Sequence, residues 1–146
     1  MRKRRLGLAI GLVGALLVAP ASAAAAPVVT TIRIDIVFGV SEEFTTTGGV
    51  LCASGDAVTD PIFAAGFGRM DRGAGTFHLT KTLTCDDGSG TFQILVNVGP
   101  AWPGTIGGFS VSGGTGAYAN LRGGGSLIGT PTDVGINDLY TGRLTN

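Results

Sequence analysis

Two alternating runs on either side of a tight turn constrain this chain more than any other feature. In Gly75 to Cys85, GTFHLTKTLTC, the residues Phe77, Leu79, Lys81, Leu83 and Cys85 share one face, and Thr76, His78, Thr80, Thr82 and Thr84 share the other. Asp86-Asp87-Gly88-Ser89-Gly90 follows, and Thr91 to Val98 returns with Phe92, Ile94, Val96 and Val98 in phase. A period of two, rich in threonine and β-branched residues, belongs to a half-buried strand. Asp and Gly accept the positive φ that a short hairpin turn demands. The segment is therefore a hairpin with one apolar face, which must be covered by more sheet.

The same period recurs along the chain. Thr31 to Phe38 places Ile32, Ile34, Ile36 and Phe38 on one face, while Arg33 and Asp35 opposite them read as an exposed cross-strand ion pair. Ser41 to Thr47 is a more polar strand or loop. Gly48-Gly49 turns the chain into Val50-Leu51-Cys52, which continues through Ala57-Val58-Thr59 until Pro61 ends it. Phe63 to Met70 is apolar, and Asp71-Arg72-Gly73 supplies turn chemistry. The prolines of Gly99 to Gly104, GPAWPG, predict a loop around the sole tryptophan, Trp102. Further strands are expected around Phe109 and Val111, over Ser126 to Thr130 and, after a loop at Pro131 to Gly135, over Asp138 to Leu144.

No helical stripe runs beyond a turn or two, so the class is all-β, a sandwich or a small barrel. Glycine is abundant, 26 residues, and falls between and inside strands with no collagen period. Such glycines mark the bulges and bends that a closed barrel needs at its corners. The expectation is one antiparallel β-barrel of about eight strands.

The N-terminus carries a separate signal. Arg2, Lys3, Arg4 and Arg5 precede an apolar run, Leu6 to Val18, and small residues at Ala21-Ser22-Ala23, the three-part pattern of a secretory leader of bacterial type. The run falls short of the roughly 20 residues a membrane span requires. Residues 1–23 are therefore expected to be removed, leaving 24–146 as a single secreted domain with no integral membrane contact; the export route, general or twin-arginine, stays open. Beyond the leader, Arg33, Arg69, Arg72, Lys81, Arg122 and Arg143 face ten acidic residues. That balance offers no clustered positive footprint for nucleic acid, which is excluded as a partner. Cys52 and Cys85, the only cysteines, both lie in the exported part and are expected to form a disulfide. With His78 as the only histidine, no metal site and no hydrolase triad can be assembled.

Gly114-Thr115-Gly116-Ala117-Tyr118-Ala119 matches the spacing of a dinucleotide-binding turn, with Asp133 beyond it. That fingerprint needs a long helix at the third position, and Gly123-Gly124-Gly125 stops any helix there. No cofactor is expected. The same residues carry a resemblance instead: a strand ending in Gly113-Gly114-Thr115-Gly116, then Ala117-Tyr118, then Leu121-Arg122-Gly123, resembles the segment shared by dirigent proteins and the allene oxide cyclase-like barrels. The resemblance extends more loosely from Gly75 to the end of the chain. It implies a single eight-stranded antiparallel barrel around a hydrophobic cavity, with the aromatic of the turn packed against the barrel. Many dirigents carry an acid directly after Gly-Gly-Thr, where this chain has Gly116.

Three functions follow. The barrel binds a small apolar molecule, with Lys81, Arg122, Phe77, Leu79, Phe92 and Ile94 as candidate ligand contacts. Alternatively it is an extracellular structural domain with a packed interior. The third reading is an isomerase or a dirigent-type enzyme with Lys81 or Arg122 as its polar group. Lys81 is the informative residue, because an ammonium in phase with Phe77, Leu79 and Leu83 must be paired if it points inward; otherwise a bulge turns it out, or its stem lies on apolar surface with the head in water.

Overall fold

A computed structural model describes residues 25–60 and 76–146. The leader, Pro61, the run Phe63 to Met70 and the turn at Asp71-Arg72-Gly73 lie outside the described residues. Eight strands follow one another: β1 (Val28–Val37), β2 (Ser41–Thr47), β3 (Ser54–Thr59), β4 (Phe77–Cys85), β5 (Thr91–Ala101), β6 (Gly104–Gly114), β7 (Arg122–Pro131) and β8 (Gly135–Thr145). Each pairs antiparallel with its sequence neighbours, and β8 closes on β1. The result is an up-and-down barrel without a free edge, which removes the unpaired ladder groups an open sheet would expose.

Alternation decides what fills it. Ile32 and Ile34 of β1, Phe44 of β2, Ala57 of β3, Leu79, Lys81, Leu83 and Cys85 of β4, and Phe92, Ile94, Val96 and Val98 of β5 all point inward and are buried. Across the seam, Ile34 stands opposite Asp138 and Ile32 opposite Tyr140. A register shift between Gln93 and Ile94 leaves Ser112 of β6 without an opposite residue, a bulge in a glycine-bearing strand.

The two ends of the barrel differ. At one end, the β2–β3 loop, the β4–β5 hairpin and the β6–β7 connection gather, together with the start of β1 and the end of β8. There Phe92 meets Phe44 edge-on at 5.7 Å and Tyr118 at 5.5 Å, and Phe109 meets Tyr140 at 5.5 Å. Such edge-to-face pairs add to the area they bury. Cys52, in the β2–β3 loop, is disulfide-bonded to Cys85 at the end of β4.

The glycine-rich connection plugs this end. Gly116–Tyr118 is a single 3-10 turn, held by Thr115 N–H donating to Thr91 O at 2.8 Å and Ala117 N–H donating to Ser89 O at 2.9 Å. The Tyr118 hydroxyl meets Ser89 Oγ at 2.9 Å, and the ring is buried on Phe92. Gly116 has φ +58, and a Cβ there would collide with the Ser89 carbonyl, so this loop has no room for an acidic side chain at that position.

Several boundaries differ from the sequence expectation. Phe38 leaves the strand and is exposed in the β1–β2 turn, because β1 ends at Val37. The expected loop GPAWPG is mostly strand: β5 runs through Pro100 and β6 begins at Gly104, leaving only Trp102-Pro103 as the turn. Val50-Leu51-Cys52 is loop rather than strand, and β7 begins at Arg122 rather than Ser126, so that Gly123-Gly124-Gly125 is strand, all three paired with β8 and Gly124 and Gly125 also with β6.

Candidate functional site

Among the described residues, the other end of the barrel is hollow. A cavity of about 580 Å³ opens there, between the β1–β2 turn and the mouth-side ends of β3 to β8. Its apolar wall includes Ile36, Ala57, Leu79, Val98, Leu127 and Ile136. The size falls within the usual range for small-molecule sites. The hollow follows from side-chain volume along the strands: inward residues on β5 shrink from Phe92 at the packed end through Ile94 and Val96 to Val98 at the mouth.

One polar cluster interrupts this wall. Lys81 is 1% exposed, and its ammonium donates to Thr59 Oγ1 at 2.6 Å and to Glu42 Oε2 at 3.2 Å. Thr59 donates in turn to the same Glu42 oxygen at 2.7 Å, closing a triangle across β2, β3 and β4. The register brings these together: Thr59 stands opposite Lys81, and Glu42 opposite Ile36 on the next strand pair. The Glu42 side chain remains 23% exposed, so the pair is buried at one end only.

A second acid stands across the cavity. Asp138 of β8 is 7% exposed and lines the same space. Tyr140 donates to its Oδ2 at 3.1 Å. Burial pushes the Asp138 carboxyl above the ordinary range, against the pull of Lys81 and the Tyr140 hydrogen bond, with Glu42 adding to the rise. Burial likewise pushes the Tyr140 phenol well above its usual value, helped by the neighbouring carboxyl. Gly129, opposite Asp138 on β7, makes room for it: a Cβ there would stand 2.7 Å from Asp138 Oδ1 and collide with Thr105 Oγ1.

The sequence candidates divide between the two ends. Lys81 and Leu79 line the cavity. Phe92 and Ile94 are fully buried, with Phe92 inside the aromatic packing of the other end, and neither belongs to the cavity wall. Phe77 packs against the core from the mouth end of β4 without lining the cavity. Arg122 is exposed at the start of β7, at the packed end and away from the opening. Arg33 and Asp35 face outward and pair at 3.1 Å, along one strand rather than across two. Asp133, the acid of the dinucleotide spacing, sits in the β7–β8 turn at the mouth, at the opposite end of the barrel from Gly114 and Gly116.

Glu42, Thr59, Asp138 and Tyr140 were not singled out in the sequence. Their signal was the one that marked Lys81, a polar residue in phase with apolar ones, as Asp138 is with Tyr140 and Leu144. A smaller groove of about 310 Å³, on the outer face, is bordered by Asp35, Glu43, Asp56 and Asp86. Among the described residues, no group of three or more His, Cys, Asp or Glu is arranged to hold a metal ion, and no helix is long and apolar enough to cross a membrane. No protein-family model, curated protein or solved structure matches this chain.

Proposed function

We propose that the chain is an exported barrel of the allene oxide cyclase-like and dirigent-like type, and that it holds a small apolar molecule in its open end. The cavity of about 580 Å³ carries this reading, since its wall is apolar over most of its extent and polar at a few places, chiefly the Lys81–Thr59–Glu42 cluster and Asp138. That division is the usual one for ligand sites, where apolar surface supplies affinity and a few polar groups fix orientation. A packed structural barrel would have continued the large inward residues of the other end up to the mouth.

Native mass spectrometry of the protein purified from culture supernatant tests this, with a denatured control of the same sample. An added mass that survives native conditions and disappears on denaturation is the expected result. A clean apo mass, together with no uptake of added apolar compounds, overturns the reading and favours the structural one.

A second reading, an isomerase or coupling-steering enzyme, is favoured by Asp138. A buried carboxyl held above its ordinary range is suited to proton donation inside an apolar cavity. In that case Asp138→Asn removes turnover of a bound compound while the compound is still taken up.

A further inference from the structure

The cavity's charges do not balance within it. Three carboxyl groups, Glu42, Asp56 and Asp138, and one ammonium, Lys81, line the same space, though Asp56 is exposed and also borders the outer groove. Lys81 is committed to Glu42 and Thr59. Asp138 has no cation within 4 Å among the described residues, where the ion pairs are Arg33–Asp35 and Lys81–Glu42. Its Oδ2 accepts from Tyr140, while Oδ1 receives no hydrogen bond from the described residues. Oδ1 lies over Gly129, where the missing side chain lets the Asp138 carboxyl and the Thr105 hydroxyl approach the β7 backbone. A largely buried acid on the cavity wall, with one oxygen accessible and free of donors among the described residues, can accept a hydrogen bond from an occupant, most strongly from a cationic one.

Resting on the reading of the barrel as a binding module, we propose that its ligand is an apolar amine, whose ammonium donates to Asp138 while its hydrocarbon body fills the hollow between Leu79, Val98, Leu127 and Ile136. An apolar carboxylate is disfavoured by the same groups, because it brings a further acid to a space lined by three, with its one ammonium already paired. An apolar alcohol donates one neutral hydrogen bond and falls between them. Burial keeps the empty site's carboxyl protonated to higher pH than usual, and an arriving ammonium supplies the counter-charge that lets it ionise.

The polar groups that share the cavity with Asp138 or touch it are Glu42 on β2, Asp56 and Thr59 on β3, Lys81 on β4, Thr105 on β6 and Tyr140 on β8. A ligand ammonium stays protonated across the range in which Asp138 titrates, so amine affinity should rise with pH through that range.

Calorimetric titration of the full domain with decylamine, decanol and decanoate, each below its aggregation limit, tests the proposal. Decylamine should bind about tenfold more tightly than decanol, and decanoate most weakly. Asp138→Asn should abolish the preference of amine over alcohol and flatten the rise with pH, whereas Glu43→Gln, which removes a charge from the outer face of β2, should leave both as in the parent protein. If Asp138→Asn does not fold, the ligand order and the pH profile of the unaltered protein decide. Tightest binding by decanoate or decanol, or an amine preference that survives Asp138→Asn, overturns the amine assignment and leaves the binding module standing. Binding of none of the three overturns the binding module and this inference with it.

Discussion

The packed end and the open end of this barrel are made by the same eight strands with the same alternation, yet one is solid and the other hollow. At the packed end the inward positions hold Phe44, Leu83, Phe92, Phe109, Tyr140 and Leu144, with Tyr118 inserted from outside the sheet. At the open end they hold Ile36, Glu42, Thr59, Val98, Thr105 and Asp138. Backbone pairing fixes the closed wall, whereas inward side-chain volume decides whether the wall encloses a core or a space. Stability and ligand chemistry are thereby assigned to different ends of one sheet.

The largest break in that division should come from Phe92→Ala. Phe92 is fully buried between Phe44 and Tyr118, so its removal leaves a cavity where no ligand belongs. A loss of about 3–5 kcal/mol is expected in urea denaturation. A loss no greater than that from truncating Val98 at the open end would show that the two ends do not differ.

Lys81→Met comes next. Breaking a fully buried ion pair costs about 3–5 kcal/mol, and the partial exposure of Glu42 lowers the expected loss to about 2–3 kcal/mol. Adding Glu42→Leu should recover most of it, because the charge left without a partner is then removed as well. A double variant as unstable as Lys81→Met alone would mean that packing of the lysine stem matters more than the charge.

Asp138→Asn should act in the opposite direction. Burial raises the folded-state pKa of Asp138, so ionisation works against folding; the penalty is absent at pH values below the unfolded carboxyl's 3.8 and grows as pH rises toward and through the raised value. The neutral variant should therefore melt higher than the parent at neutral and alkaline pH, with the difference closing in acid. Thermal melts across pH check this, and a constant difference would remove the titration of Asp138 as its cause.

The smallest effect on stability is expected from Val98→Phe. Overpacking a filled core costs roughly 1–3 kcal/mol, but Val98 borders open space, so a change under about 1 kcal/mol is expected. Uptake of an apolar compound should nevertheless fall sharply. Unchanged uptake would place the ligand elsewhere.

How far the sequence showed this division depends on the strand. The β4–β5 hairpin was legible because alternation and the Asp86–Gly90 turn are local signals, and Lys81 stood out against the apolar face it shares. β8 was legible as a strand, but its acid was not legible as part of a site. Asp138, Tyr140 and Leu144 occupy one face and Leu139 belongs to the other, so period alone does not say which is inside; the pairing of Ile34 with Asp138 across the seam does. The same holds for Glu42 in the polar run of β2, drawn inside by its register with Ile36. Gly123-Gly124-Gly125 reads locally as a helix stop ahead of a strand at Ser126, and it becomes strand because β8 pairs with all three and β6 with Gly124 and Gly125.

The chain enters and leaves the barrel at the packed pole, where Val28 pairs with Leu144 and Thr145 Oγ1 donates to Ala25 O at 3.1 Å. A linker joined to either end therefore emerges opposite the cavity. Held on a bead or sensor chip through such a linker, the barrel would present its opening to the liquid, and a reporter fused at either end would leave the entrance clear.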